Sequence, residues 1–313
     1  MDLEMCVVER RIVADSIVEL TLSLTGGGDL PSWEPGAHVD LQMGDFVRQY
    51  SLTGLDSAPD RWTVSILREV AGRGGSDFAH QHLTEGSRVV VSGPRNHFPF
   101  DPAEDAVLFI AGGIGITPLL PMIACADERG VDWQLVYLGR SRTGMAYTDA
   151  LAKYGDRVRI RPDDEYGISD VAALIRDTDP GTEVYTCGPE SLLCAVESVC
   201  AAPETRRSLK LERFVPKVID TDGPDREFEV EFAQSGVTAI VPADRSILQV
   251  AEDVGVDIIS SCSEGTCGTC ETPVLDGTPE HRDSVLTTEE QESGTTIMPC
   301  VSRCRSARLV LDV

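Results

Sequence analysis

The sequence predicts a multidomain chain: an antiparallel β-barrel, an α/β module with a parallel sheet, and a small α+β module. Three observations predict it. The first hundred residues are short β-like runs punctuated by Gly and Pro. The next hundred alternate strand with helix, and the last hundred gather cysteine and acid. The chain has 313 residues, and 52 Asp plus Glu stand against 27 Lys plus Arg, a formal net charge of −25. Length alone leaves two or three domains. A hydrophobic fraction of 42 % supplies several cores and argues against disorder. The charge argues against nucleic acid and anionic membrane as partners, since both are polyanions. It favours a partner with a basic face. No apolar run approaches the roughly 18 residues that span a bilayer, and Met1 to Arg11 carries no signal-peptide pattern. A cytoplasmic location is therefore expected, where clustered thiols serve metal or redox chemistry rather than disulfides.

In the first module, strands are expected at Val7–Val13, Ile17–Leu24, Ala37–Gln42, Val47–Leu52, Trp62–Leu67 and Arg88–Ser92. In the second, strands at Ala106–Ala111, Gln134–Leu138, Val158–Ile160 and Glu183–Thr186 alternate with helices. The helices are expected at Pro118–Ala126, Thr148–Lys153, Ile168–Arg176 and Glu190–Cys200. Pro216 to Asp225 reads as a linker. Beyond it, Phe228–Phe232 and Thr238–Val241 suggest a hairpin, Ser246 caps a helix over Ile247–Val254, and Arg308–Val313 is a last strand. Residues 1–102 carry a net charge of −7, residues 103–213 carry −6 and residues 214–313 carry −12. The last module thus holds about half of the charge together with the cysteine cluster.

Three motifs carry chemistry. Cys262, Cys267 and Cys270 form C-x4-C-x2-C, and Cys300 follows after 29 intervening residues. This is the plant-type [2Fe–2S] spacing, in which four thiolates hold two irons and nearby glycines let backbone amides reach the sulfurs. Zinc is the alternative occupant, and Cys304 competes with Cys300 for the fourth position. Arg48-Gln49-Tyr50-Ser51-Leu52 offers a cation for a phosphate, an aromatic to cover a ring and a hydroxyl for a ring nitrogen. Downstream, Gly72-Arg73-Gly74-Gly75-Ser76 opens a short helix and makes an anion cradle. Together the two suggest a flavin phosphate site. Ala111 to Pro118, with Gly112, Gly113, Gly115 and Thr117, follows a strand and opens a helix, as a pyrophosphate-binding turn does. Cys187-Gly188-Pro189 follows the last expected strand of the same module, where a small thiol can approach a nicotinamide. Arg140-Ser141-Arg142 follows another strand and either holds a 2′-phosphate, which would mean NADPH, or is a solvated turn. Cys125, Cys194 and Cys200 are expected as core fillers, and His80 and His82 as a helix-surface pair.

These motifs occur in the order seen in the phthalate dioxygenase reductase family, which includes the reductases of vanillate O-demethylases. The chain resembles that family over essentially all of its length. The resemblance implies an FMN-binding β-barrel over 1–102, a Rossmann-like NAD(H) domain over 103–214, a linker over 215–226 and a β-grasp ferredoxin domain over 227–313. It implies that Arg48 and Ser76, with Arg73, Gly74 and Gly75, bind the FMN phosphate. Tyr50 would pack on the flavin, with Gln49 and Ser51 beside it. Ser65, Ile66 and Leu67 would border it through main chain, and Thr117 and Phe214 would face it. Gly112, Gly113, Gly115, Pro118, Arg140, Cys187, Gly188 and Pro189 would bind NADH. Cys262, Cys267, Cys270 and Cys300 would hold the cluster.

A hydride is a two-electron carrier and the cluster a one-electron carrier, so a flavin belongs between them. The expected function is an NADH-dependent reductase, acting as a monomer. It would feed a terminal oxygenase, of Rieske non-haem iron type, that acts on a small aromatic compound. The acidic face around Cys262 to Cys270 would dock a basic patch. Other readings are a cytochrome P450 or diiron acceptor, a stand-alone ferric or flavin reductase, and a non-catalytic protein with a zinc-stabilised interaction module.

Overall fold

A computed structural model describes residues 2–55, 58–70, 72–102, 106–217 and 224–313. The chain divides into two units, one ending at Glu212 and one running from Arg213 to Val313. The expected module boundary at 102/103 and the linker 215–226 fall partly outside the described residues.

The first unit begins with β1 (Asp2–Ala14) and β2 (Ile17–Leu24), joined at Ser16 in the left-handed region (φ 59). β3 (His38–Met43), β4 (Phe46–Ser51), β5 (Trp62–Leu67) and β6 (Arg88–Arg95) complete an antiparallel sheet in the order β4-β3-β6-β1-β2-β5. The sheet curls until its edges meet at one bridge, Leu52 to Val64. Period-two alternation drives the curl: Val18, Leu20, Leu22, Val39, Leu41, Val64 and Ile66 share one buried cluster. Helix α1 (Gly75–His82) packs against β3, β4 and β5. His80 is more than a surface residue there, since its Nε2 lies 2.9 Å from the Ile66 carbonyl and ties α1 to β5.

After Phe98 and Phe100, which pack on Phe109 and Tyr185, the chain enters β7 (Ala106–Gly112). A 3-10 turn over Gly113–Ile116 leads to α2 (Leu119–Arg129) and β8 (Asp132–Gly139). α3 (Thr148–Leu151), β9 (Val158–Pro162), α4 (Asp163–Tyr166) and α5 (Val171–Arg176) follow. β10 (Glu183–Cys187), α6 (Glu190–Ala201) and β11 (Leu209–Glu212) end the unit. The sheet is parallel, in the order β11-β10-β7-β8-β9. Its strands are buried on both faces. Phe109, Leu135 and Tyr137 belong to one core, while Leu108, Ile110 and Val136 belong to another.

The second unit holds β12 (Phe228–Phe232), β13 (Val237–Val241) and α7 (Ile247–Asp253). Then come β14 (Thr272–Asp276), β15 (Pro279–Glu280), α8 (Thr288–Ser293), β16 (Thr296–Ile297), β17 (Arg303–Cys304) and β18 (Arg308–Leu311). β12 and β18 pair in parallel at the centre of a sheet ordered β13-β12-β18-β14-β16, and its core takes in Ile247, Val250 and Ala251 of α7. This mixed sheet around one helix is the β-grasp arrangement expected.

Two expectations are corrected, and one strand is added. The helix expected over Ile168–Arg176 begins only at Val171, because Gly167 (φ 72) breaks the chain and the Asp170 side chain caps it by accepting from the Ala173 amide. Ile168 is left 92 % exposed. Cys194 is exposed rather than a core filler, with its thiol 3.2 Å from Glu190 Oε1, whereas Cys200 is buried and its pKa is pushed up to about 11 by burial. β11 was not anticipated, since four residues are too few to show a period.

Ser246 and Gln249 form a reciprocal capping box on α7. Ser246→Ala should cost about 1 kcal/mol of stability. Urea unfolding that shows no loss would contradict the role given to this cap.

Candidate functional site

In β4 the alternation places Arg48 and Tyr50 on one face, and it sends Gln49 to the other, where its Nε2 donates to Asp40 (3.1 Å). Arg48 lies against the start of α1. Its Nη2 donates to the Arg73 carbonyl (3.3 Å), and a Cβ on Gly75 would sit 2.9 Å from Arg48 Cγ. Gly74 takes a left-handed conformation (φ 82) and no side chain caps α1, so its first-turn amides stay available beside a guanidinium. Ser76 Oγ accepts from the Glu69 amide (3.0 Å), which shapes the loop. Arg48, Arg73, Gly74, Gly75 and Ser76 are thus brought together as an anion cradle.

Next to it, Ser51 is buried and its hydroxyl has no partner in the chain. A buried, unsatisfied hydroxyl in a strand beside Tyr50 fits a polar ring heteroatom. Burial also pushes the Tyr50 phenol up, with Arg48 opposing. The donor set therefore fits a flavin mononucleotide. Ser65 is different, because its hydroxyl is bonded to Tyr147, leaving only its main chain for a ligand.

The second cluster lies at the carboxyl edge of the parallel sheet. Ala111 pairs with Cys187 in register, and Cys187 with Glu212. The edges approach so closely that side chains are excluded. A Cβ on Gly112 would come within 2.6 Å of Pro189 Cδ, one on Gly188 within 3.0 Å of Gly112, and one on Gly115 would strike the Cys187 carbonyl. Tyr137 donates to the Gly113 carbonyl (3.1 Å) and Thr117 to the Ile114 carbonyl (2.9 Å), fixing the turn. That turn packs against β5, so the glycine edge stands beside the strand that carries Ser65. Pro118 precedes α2 as its cap residue. Gly112, Gly113, Gly115, Thr117, Pro118, Cys187, Gly188 and Pro189 are brought together, while Arg140 lies on the loop after β8.

Glu212 escaped the sequence reading. Its carboxyl oxygen Oε2 is buried without a partner, and burial lifts its pKa from 4.5 to about 8. The same burial, with Glu212 adding to it, raises the Cys187 thiol. Tyr147 was also missed. Its hydroxyl donates to Glu19 Oε2 (2.8 Å), and Glu19 is paired in turn with Arg11.

In the second unit, the loop between α7 and β14 carries Cys262, Cys267 and Cys270. Ser263, Gly265 and Gly268 all have positive φ there, and amides turn onto sulfur, Glu264 N to Cys262 Sγ (3.3 Å) and Thr269 N to Cys267 Sγ (3.4 Å). Cys300 comes from the far side and lies 3.3 Å from Cys270, sulfur to sulfur. Hydrogen bonds from Cys267 and Cys300, together with the backbone amides, pull the Cys262 thiol down. Asp283, also unanticipated, is buried behind the loop, where it accepts from the Val285 and Leu286 amides while the Ser284 amide donates to the Gly265 carbonyl. Among the described residues, no group of three or more His, Cys, Asp or Glu meets the geometry of a metal-ion site. Three thiols on one loop and a fourth from the turn after β16, with amides aimed at two of the sulfurs, suit two irons with two thiolates each better than one zinc. Cys304 lies elsewhere, on β17, with its thiol on Thr278 O, Ser306 Oγ and Arg308 O. Phe214 belongs to this unit and is 42 % exposed.

A family model described as the 2Fe-2S iron-sulfur cluster binding domain matches residues 230–305. The chain is 38 % identical to phenoxybenzoate dioxygenase subunit beta of Ectopseudomonas oleovorans, over 96 % of this chain and 94 % of that one. It is 36 % identical to the vanillate O-demethylase oxidoreductase of a Pseudomonas species, over 99 % and 100 %. Among solved structures, phthalate dioxygenase reductase, described as a modular structure for electron transfer from pyridine nucleotides to [2Fe-2S], matches with a TM-score of 0.70 and 34 % identity over 100 % of this chain and 98 % of that one. An intact type IV self-sufficient cytochrome P450 monooxygenase matches with a TM-score of 0.92 and 41 % identity. All of this chain is covered there, but the chain spans only 41 % of that protein's length. Fold and site together define a flavin and iron–sulfur oxidoreductase. The chain belongs to the family of phthalate dioxygenase reductase and the vanillate O-demethylase oxidoreductases.

Two expectations follow. Cys300→Ser should abolish the iron–sulfur absorption of the purified protein while Cys304→Ser retains it, and loss in the second variant would reverse the assignment. Glu212 holds its proton in the folded state from about pH 4.5 to about 8, where the unfolded chain releases it. Its contribution to stability is therefore present below about pH 4.5 and is lost as pH rises through about 8. Glu212→Gln should flatten that fall in urea-unfolding series across the window, and an unchanged slope counts against the buried carboxyl.

Proposed function

We propose that the protein is the reductase component of an oxygenase system, taking reducing equivalents from NADH and delivering single electrons to a terminal oxygenase. The observation that carries this reading is one chain that holds an anion cradle beside a buried free hydroxyl, a side-chain-free sheet edge next to it, and a cluster of four thiols. Bound FMN would supply the exchange between two-electron hydride and one-electron chemistry, and a bound [2Fe–2S] cluster the one-electron exit. Arg48, Arg73, Gly74, Gly75 and Ser76 hold the flavin phosphate. Tyr50 and Ser51 contact the ring, with Gln49, Ser65, Ile66, Leu67 and Thr117 at its border. Gly112, Gly113, Gly115 and Pro118 receive the nucleotide pyrophosphate, Arg140 the adenosine end, and Cys187, Gly188 and Pro189 the nicotinamide. Cys262, Cys267, Cys270 and Cys300 hold the cluster. No side chain needs to act as acid or base here, so the residues work by positioning. The proposed modules are 1–102, 103–214 and 227–313, joined by a linker over 215–226.

The acceptor that fits the named relatives is a terminal oxygenase of the Rieske type acting on a small aromatic compound, with the reductase a cytoplasmic monomer. No helix among the described residues is long and apolar enough to cross a membrane, and the net charge of −25 disfavours nucleic acid. A second reading, a haem acceptor, is favoured by the higher identity and TM-score to the self-sufficient P450.

The purified protein should show flavin and iron–sulfur absorption that NADH bleaches without air. Zinc by elemental analysis with no flavin would end this reading. NADH-driven reduction of Rieske proteins compared with P450s decides between the two acceptors.

A further inference from the structure

Tyr147 belongs neither to the anion cradle nor to the glycine edge, yet its backbone is strained. It sits just before α3 in the left-handed region (φ 66), which side chains rarely adopt and which the surroundings must hold in place. The loop that ends there is folded tightly against its own strand, since a Cβ on Gly139 would come within 2.5 Å of Met145 Cγ. A glycine at 147 would relax the turn. The tyrosine therefore answers to something that its side chain reaches.

Its hydroxyl closes a row of polar side chains on the barrel. Arg11, Glu19 and Ser65 are register partners across β1, β2 and β5, so the three side chains share one face. Arg11 Nε donates to Glu19 Oε1 (2.8 Å), and the Tyr147 hydroxyl donates to Glu19 Oε2 (2.8 Å). With its one proton given to Glu19, Tyr147 accepts from the Ser65 hydroxyl. The bonds therefore run in one direction, from Ser65 to Tyr147 to Glu19. Burial pushes the Tyr147 phenol up, so this donor keeps its proton at neutral pH. The Asp15 amide, on the turn between β1 and β2, donates to the Thr143 carbonyl (2.8 Å) and holds the same loop a second time.

β5 is where this row meets the α/β half of the unit. It is the last strand in the order of the barrel sheet, and the 3-10 turn over Gly113–Ile116 packs against it. One strand thus takes two contacts from the α/β half, the glycine turn and the Tyr147 hydroxyl. Without the second, β5 is free to shift against the first.

We propose that Tyr147 is a positioning residue for hydride transfer, setting through Ser65 the distance between β5, which borders the flavin ring, and the glycine edge, which receives the nicotinamide. The inference rests on the reductase reading above. In that step the C4–H bond of NADH breaks, its hydrogen and both bonding electrons form a new bond on the flavin, and NAD+ leaves. The reacting atoms must stand about 3–3.5 Å apart, and a misplacement of about 1 Å caused far from the chemistry costs about a hundredfold. A strand loosened by part of that distance should lose about tenfold.

The test is Tyr147→Phe in the full-length holoprotein, which keeps the ring packed on its core and removes both bonds of the hydroxyl. At saturating NADH without air, Y147F should bleach its flavin absorption about tenfold more slowly than the wild type, with the half-saturating NADH concentration changed less than about twofold. Dithionite, which needs no docked nucleotide, should bleach both proteins equally fast. At equilibrium, hydrogen exchange should quicken at the β5 amides of Y147F and stay unchanged at those of α6. Ser65→Ala cuts the same link from the barrel side. It should match Y147F, the double variant should lose no more, and it carries the test if Y147F does not fold. A lowered urea midpoint with an unchanged bleaching rate, or a change confined to half-saturation, overturns the inference and leaves the reductase reading standing. If NADH does not bleach the wild type, both fall.

Discussion

The approach of β7 to β10 at their carboxyl ends is the constraint on which the nucleotide site depends. Gly112 faces Pro189 and Gly188, and Gly115 faces the Cys187 carbonyl, at separations that leave no room for a Cβ. Parallel pairing in register from Val107 to Ala111 delivers the two loops to the same point, and the buried runs on both faces of the sheet keep that register. Bare backbone at the mouth of a sheet is what a pyrophosphate and a flat ring need to come close. The same closeness buries Cys187 and the Glu212 carboxyl beside it, which explains why both are held away from their charged forms.

A second constraint joins the two sheets of the first unit. Arg11 and Glu19 come from β1 and β2, Ser65 from β5, and Tyr147 from the residue before α3, where its backbone is left-handed (φ 66). Glu19 is almost fully buried, and a buried carboxylate is tolerated only with partners, here Arg11 and the Tyr147 hydroxyl. The Asp15 amide adds a bond to the Thr143 carbonyl (2.8 Å). The segment between β8 and α3 is thereby held by hydrogen bonds to β2, to β5 and to the β1–β2 turn.

Residues whose role follows from local pattern were legible in the sequence. The thiols announce themselves by spacing, the Gly-rich turns by composition, and Ser246 by the glutamine three residues later. The edges of β2, β5, β8 and β10 follow from alternation and turn residues. Residues whose role arises from long-range pairing were not legible. Glu212 ends a four-residue strand that exists through its pairing with β10. Tyr147 is a loop tyrosine until β5 is placed beside it. Asp283 carried a faint signal, since an aspartate just before Val285 and Leu286 can accept their amides, but nothing local says that this turn backs the thiol loop. Charge misled at Ile168, where an apolar residue in a polar stretch looked like a helix face and is solvent-exposed.

Cys304 stands four residues after Cys300, yet its thiol faces the carbonyls of Thr278 and Arg308 in another core. Of the ten cysteines in the sequence, five lie in the second unit, and spacing alone does little to rank Cys300 against Cys304. Pairing of β17 with β15 takes the fifth, Cys304, out of that set. A two-residue ladder thus acts as an editor of the ligand set, because it gives the spare thiol other partners than the thiol loop.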